Sequence, residues 1–505
     1  MSNQLFDTLF AEISADSLFI QLADGPRWSY GDILRETAKV ASALVAAGVH
    51  PGDRVAAQID KSASAIALYL GTLRAGAVFL PLNTAYTANE IEYFVRDAEP
   101  ALLICRPAAE TALRRITEKA GSRLETLNAD GNGGSWAKMV EAGASDFDTV
   151  ERGNQDLAAI LYTSGTTGRS KGAMITHHNL ASNAQTLARL WQFTSDDVLL
   201  HALPIFHTHG LFVAINTILV SGASMLFLPK FDTDQVLALL PGATVMMGVP
   251  TFYTRLLDQP NFTRELTQNM RLFISGSAPL LEETHIAFRQ RTGQAILERY
   301  GMTETNMNTS NPYDGSRRAG TVGFPLADVT IRVTDPDTGI NLPHGEIGML
   351  EVRGPNVFKG YWRRPEKTAE EFRKDGFFIT GDLGKIDDRG YLVIVGRGKD
   401  LIISGGFNVY PKEVEIEIDA LPGIIESAVV GLPHPDFGEG VTAVVVAQHD
   451  SVASETEIKL QLTGRLARYK QPKRIFFCNQ LPRNSMGKVQ KYLLREQYKD
   501  IYSTS

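Results

Sequence analysis

Between Leu157 and Thr305, short apolar runs rich in Val, Ile and Leu alternate with stretches of helical period, and no other feature of the chain constrains its fold as strongly. The runs are Leu157 to Tyr162, Val198 to Ala202, Ala223 to Leu228, Thr244 to Val249, Leu272 to Ser275 and Ala295 to Tyr300. Strands that alternate with helices can neighbour one another only through crossover connections, so a largely parallel sheet is expected. The first part has the same texture, with a helix-like stretch from Thr37 to Ala47 and a strand candidate from Arg54 to Ile59. From Gly320 to Val395 the pattern changes to short β-like runs broken by Gly, Pro and Asp, which suggests an antiparallel subdomain. Glycine-rich passages then follow at Gly396 and at Ser404, ahead of a compact β/α segment. The fold class is therefore α/β. A large N-terminal domain, residues 1–398, holds two mostly parallel α/β subdomains and a β-rich one, and a small α+β domain covers residues 399–505.

A chain of 505 residues with 44% hydrophobic content has enough apolar material for more than one core. Its formal net charge of -7 argues against general affinity for nucleic acid or an anionic membrane surface. Small anionic ligands would need a local basic site, and the last stretch, from Thr463 on, carries ten Lys and Arg against two acidic residues. Cys105 and Cys478 are the only cysteines, too few for a disulfide framework or a cysteine-rich metal site, so a reducing, cytoplasmic location is expected. No secretion signal and no apolar run of membrane-spanning length is read.

The most informative segment is Tyr162-Thr-Ser-Gly-Thr-Thr-Gly-Arg-Ser-Lys-Gly172, directly after an apolar strand. Gly165 and Gly168 permit backbone angles that turn N–H groups toward an anion. Thr163, Ser164, Thr166 and Thr167 add hydroxyl donors, and Lys171 adds charge. The Walker spacing is absent, and an unliganded polar turn is the plainer alternative. This loop resembles the signature of the adenylate-forming superfamily, and further matches follow in order: Tyr300-Gly-Met-Thr-Glu304, Thr380-Gly-Asp382, Gly396-Arg397 and Pro482-Arg-Asn-Ser-Met-Gly-Lys488.

The resemblance implies activation of a carboxylic acid by ATP and transfer of the acyl group to a thiol. Such chemistry brings anions together, so cations and fixed dipoles must stand where charge develops. By resemblance Lys488 bridges the carboxylate and the α-phosphate, and its acetylation by a lysine acetyltransferase, reversed by a deacetylase, would neutralise it. Glu304 holds magnesium with help from Thr163. Tyr300, Gly301, Met302 and Thr303 form the adenine side of the ATP site, together with Ser277 and Ala278. Asp382 and Arg397 meet the ribose. Lys399 marks a hinge about which a mobile C-terminal domain turns, although an aspartate is common there in similar proteins. Lys399, Ser404, Gly405 and Gly406 then face coenzyme A.

Two arginines bear on the acid. Neighbours on a strand point to opposite faces, so Arg299 and Tyr300 can address an acyl pocket and an adenine site respectively. Arg255 lies in a helix-like run that begins at Pro250. Read as residues alone, each arginine is better explained as a surface or salt-bridging residue, with Glu298 and Glu304 as available partners. A fatty-acid pocket would not suit a guanidinium, because an unpaired buried charge costs on the order of 3–5 kcal/mol. A dicarboxylate supplies the missing partner. His207-Thr-His-Gly, Ile274-Ser-Gly-Ser-Ala-Pro279 and Glu298 to Ser310 together resemble malonyl-CoA synthetases. That resemblance gives Arg255 and Arg299 the free carboxylate, gives Ser277, His207, Thr208 and Met307 the walls of a small chamber, and places His207 beside the chemistry. Malonate is the expected acid. Methylmalonate is a second candidate, since one methyl is worth only about 1–3 kcal/mol of discrimination. A metal site at His207 and His209 lacks a third ligand nearby. Other short-chain acyl-CoA synthetases, adenylation domains that load a carrier protein, and a catalytically silent nucleotide-binding protein are the alternatives.

Overall fold

The computed structural model describes residues 3–11, 13–23, 25–163, 170–405, 407–448, 454–484 and 487–502. The chain divides into two compact units, Met1–Thr330 with Val352–Phe378, and Ile331–Glu351 with Ile379–Ser505.

The first unit is built on two sheets. In the larger, the strands Leu297–Met302, Leu272–Ser275, Val245–Gly248, Val198–His201, Ser224–Phe227 and Leu18–Leu22 lie parallel in that order, and antiparallel strands flank them at both edges. All but the first of the short apolar runs read between Leu157 and Thr305 are among these strands, which are almost continuously hydrophobic, as buried parallel strands are. The second sheet runs Arg123–Thr126, Leu102–Cys105, Arg54–Gln58, Val78–Pro81, Leu157–Thr163 and Lys171–Thr176. All neighbours there are parallel except the last pair, an antiparallel hairpin with Thr163 opposite Lys171.

Capping fixes the helix starts. Ser29 and Asp32 form a capping box on Tyr30–Ala46, and Thr176 with Asn179 does the same for His177–Leu190. His177, in the first turn of that helix, is fully buried, and neither ring nitrogen has a hydrogen-bond partner among the described residues. Burial pushes its pKa down to about 4, with Asp156 acting weakly the other way. The folded state thus resists a proton that the unfolded chain accepts near pH 6.5, and stability is lost as the pH falls from there toward 4. Replacing His177 with Phe should shrink the drop in unfolding free energy between pH 7 and pH 5 by about 2 kcal/mol. Denaturant titrations of both proteins at the two pH values measure it.

In the second unit, one sheet joins Thr330–Thr334, Gly348–Arg353, Phe378–Ile386 and Leu392–Arg397. The other centres on two long antiparallel strands, Ile424–His434 and Gly438–Ala447. Alternation along them fills two cores. Val429, Val441, Ala443 and Val445 join Val414, Ile418 and Ile458 on one side, while Ala428, Val430, Leu432 and Val444 join Leu494 on the other. In the first unit, the helix Pro365–Glu371, whose proline stands at its first position, breaks the β-like texture expected between Gly320 and Val395. No helix among the described residues is long and apolar enough to cross a membrane.

Candidate active site

In the first unit the polar residues gather beyond the carboxyl ends of the parallel strands, the usual ligand position in an open α/β sheet. His207 and Thr208 follow Val198–His201, Ser277 follows Leu272–Ser275, and Arg299 and Tyr300 lie in Leu297–Met302. Both sheets contribute to one cavity, lined by Pro81, Tyr86 and Tyr162 from one and by Phe206, His207 and Thr303 from the other.

Arg299 is 4% exposed, and its Nε and Nη2 find no hydrogen-bond partner among the described residues. A Cβ on Gly276 would stand 2.3 Å from the Arg299 Cζ, so the guanidinium lies against a backbone that only glycine leaves open. Burial lowers the arginine's pKa to about 9, and the nearby Tyr253 hydroxyl acts in the opposite sense. Around it stand further buried polar atoms without partners among the described residues, Thr208 Oγ1, His209 Nε2 and Ser275 Oγ. Ser277, at a positive φ of 71°, places its Oγ 3.2 Å from His209 Nδ1. Burial lowers the pKa of His207 to about 4, which keeps the ring neutral. Met307 is buried beneath, its backbone N–H and C=O both bonded by the Asn183 side chain. Arg255, the other arginine, is exposed. The helix Pro250–Leu257 buries Phe252, Tyr253 and Leu256, and Arg255 lies off that stripe.

Glu304 is buried, and its Oε1 lies 3.1 Å from the Tyr361 hydroxyl, which also lies 2.7 Å from Glu371 Oε2. Lys171 Nζ donates to Glu371 Oε1 at 3.1 Å and sits 4.3 Å above the Tyr361 ring. Burial raises the Glu371 carboxyl, but hydrogen bonds from Tyr361, Lys367 and Lys171 outweigh it and hold the group below the usual carboxylate range. The lysine at the end of the polar loop is thereby tied through one phenol to Glu304. Ser164, Gly165, Thr166, Thr167 and Gly168 of that loop lie outside the described residues. Tyr300 is buried, Gly301, Met302, Thr303 and Ala278 are half-buried, and Gly301 faces the Asn306 carbonyl so closely that no side chain would fit.

Sequence reading missed Lys61, Tyr361 and Glu371. Lys61 Nζ donates to His201 Nδ1 at 2.8 Å and to the His201 carbonyl at 2.9 Å. With Nδ1 accepting, the other ring nitrogen carries the proton toward the Gly210 carbonyl at 2.8 Å. Burial holds this lysine well below its ordinary pKa. These partners are 140 residues apart, and nothing local in the chain announces them.

In the second unit, Asp382 and Arg397 face each other across antiparallel strands, with Arg397 Nε 2.8 Å from Asp382 Oδ1 and its Nη1 donating to the Thr380 carbonyl at 3.1 Å. Gly487, directly before Lys488, has a φ of 74°, and the Lys488 N–H donates to Asn484 Oδ1 at 2.9 Å. Crowding around its ammonium, then the positive Arg397, lower its pKa, while Asp382 and Asp400 oppose them. Lys488, Asp382, Arg397 and Lys399 are thus within electrostatic reach of one another. Ser404 is buried, Gly405 adopts a φ of 60°, and Gly406 lies outside the described residues.

The sequence profile of AMP-binding enzymes matches residues 11–362, and that of the AMP-binding enzyme C-terminal domain matches residues 413–488. The ATP-bound crystal structure of MatB from Rhodopseudomonas palustris is 60% identical, covers 100% of both chains and superimposes with a TM-score of 0.98. A malonate–CoA ligase of Arabidopsis thaliana is 33% identical over 98% of this chain and 88% of its own length. A long-chain-fatty-acid–CoA ligase of Mycobacterium tuberculosis is 36% identical over 95% of each. With most of its length matched by that profile, the chain belongs to the family of AMP-binding enzymes.

Proposed function

We propose that the chain ligates malonate to coenzyme A through malonyl-adenylate, with release of pyrophosphate and then AMP. The observation that carries this reading is the buried Arg299 guanidinium, with two N–H groups unpartnered among the described residues. A monocarboxylic acid would leave that charge without a counter-ion, whereas the second carboxylate of malonate accepts from it. Among the curated relatives percentage identity does not separate the acids, since a fatty-acid ligase and a plant malonate ligase are 36% and 33% identical to the chain, whereas MatB is 60% identical over the full length. The similarity to the plant enzyme and to the Rhodopseudomonas protein supports the malonate reading.

In the first half-reaction a carboxylate oxygen forms a bond to the α-phosphorus, and the bond from that phosphorus to the bridging oxygen of pyrophosphate breaks. The Lys488 ammonium offsets the negative charge shared between the two reactants. Tyr300 lies against adenine, Asp382 accepts from the ribose hydroxyls, and Lys171 with the loop hydroxyls meets the phosphates. Glu304 and the Thr163 hydroxyl offer oxygen ligands, the donor type magnesium takes, and the ion would neutralise phosphate charge there. In the second half-reaction the thiolate of coenzyme A adds to the acyl carbon and AMP leaves. Lys399 at a hinge and Ser404 to Gly406 beside the thiol belong to the same proposal, with a domain boundary at residue 398. Two free thiols, Cys105 and Cys478, suit a reducing compartment.

The test is a panel of malonate, methylmalonate, succinate, acetate and a long-chain acid, with and without coenzyme A, scored by AMP release. Malonate should exceed acetate in kcat/KM by about two orders of magnitude or more, the scale of an unpaired buried charge. A long-chain acid turning over as well as malonate would refute the assignment.

A further inference from the structure

We infer that His209 is a second donor to the free carboxylate of the acid, its Nε2–H completing with Arg299 Nε and Nη2 a three-point seat for the distal anion. The inference rests on the malonate reading and goes beyond it in naming how the second charge is held.

His209 is 2% exposed and opens the π-helical segment His209–Ile215, a backbone form frequent at functional sites. The chain links it directly to the arginine. Arg299 packs on Gly276, the next residue is Ser277, and the Ser277 hydroxyl meets His209 Nδ1. The opposite ring nitrogen, Nε2, is buried with no partner among the described residues, as are the two nitrogens of Arg299. A buried N–H without an acceptor is costly, and three in one small region call for a shared ligand.

The seat requires the Nε2–H tautomer, which the Ser277 contact permits, since its hydroxyl can donate to Nδ1. Burial, then Arg299, then His201 and His207, all hold the imidazole neutral, so it carries one proton. With the Ser277 hydroxyl donating to Nδ1, that proton resides on Nε2. The other tautomer would present a lone pair to the place an anion occupies. A neutral donor also fits the electrostatics, because it adds a hydrogen bond without a second positive charge beside the guanidinium. A metal between the histidines is a poorer explanation, since no group of three ligating side chains exists among the described residues.

The test compares His209→Phe, which keeps a ring but removes the N–H, with His209→Gln, which restores an amide donor. Initial rates of AMP release are taken with malonate and with propionate, which lacks the distal carboxylate. For His209→Phe the malonate KM should rise about 10- to 100-fold, the scale of a hydrogen bond to a charged group, with kcat within about threefold. That loss should exceed the loss with propionate by at least about tenfold, and His209→Gln should recover part of it. Wild-type protein labelled with 15N-histidine provides a reading independent of variant folding, in which malonate, and not propionate, shifts the Nε2–H signal downfield. Equal losses for both acids, or an unmoved Nε2–H signal, would overturn the inference. If wild type uses malonate and His209→Phe leaves its KM unchanged, the inference alone fails. If wild type does not use malonate, the proposed function fails with it.

Discussion

Replacing Arg299 with Leu should make the protein more stable and nearly useless toward malonate. The guanidinium is buried, its Nε and Nη2 are unpartnered among the described residues, and burial lowers its pKa to about 9. Such a group opposes folding, so an apolar side chain of similar reach should raise the unfolding free energy by about 1–3 kcal/mol. The same change removes the charge that reads the second carboxylate, and malonate kcat/KM should fall by about two orders of magnitude or more. The combination separates a ligand-reading arginine from a structural one, whose loss would lower both stability and activity. Chemical denaturation and AMP release on one preparation measure the two effects. Gain of stability with loss of function is the pattern of a site that carries strain for its ligand.

Replacing Lys488 with Ala should split the two half-reactions. Adenylation, followed by malonate-dependent exchange of pyrophosphate into ATP, should fall by about three orders of magnitude, the upper range for removing one preorganised donor. Conversion of chemically supplied malonyl-adenylate to thioester should change by no more than about threefold, since charge no longer builds between two anions in that step. The lowered pKa of Lys488 adds a pH signature. The lysine acts as a cation, so adenylation should be full below its pKa and decline as the pH rises through it, beginning below the ordinary lysine range. That alkaline limb should be absent from the thioester step. Equal loss of both steps in the variant would place Lys488 elsewhere in the chemistry.

Why some of this could be read from the chain and some could not is itself physical. Strands buried on both faces appear as uninterrupted apolar runs, and Val198–His201, Leu272–Ser275 and Leu297–Met302 fall within a few residues of the runs that announce them. Their allocation between two sheets is not local information. Leu157–Thr163, the first run of the series, lies between Val78–Pro81 and Lys171–Thr176 in the second sheet and not among the later runs, which form the larger one. Strand alternation sets Arg299 apart from Tyr300, but only the resemblance of Glu298 to Ser310 to malonyl-CoA synthetases gave it the carboxylate. Arg255 was a weaker case, since its helix shows which face is buried only once Phe252, Tyr253 and Leu256 are packed. Tyr361, which joins Lys171 and Glu371 to Glu304, had no signal, because a single tyrosine carries no pattern until its partners fold against it. Lys61 and His201 were silent for the same reason.

The most direct measurement is a crystal structure of the protein with a hydrolysis-resistant analogue of malonyl-adenylate. The distal carboxylate should lie within hydrogen-bond distance of Arg299 Nε and Nη2, with the guanidinium still packed on Gly276. A carboxylate directed into solvent, with Arg299 paired to an acidic side chain instead, would contradict the role assigned to that buried charge.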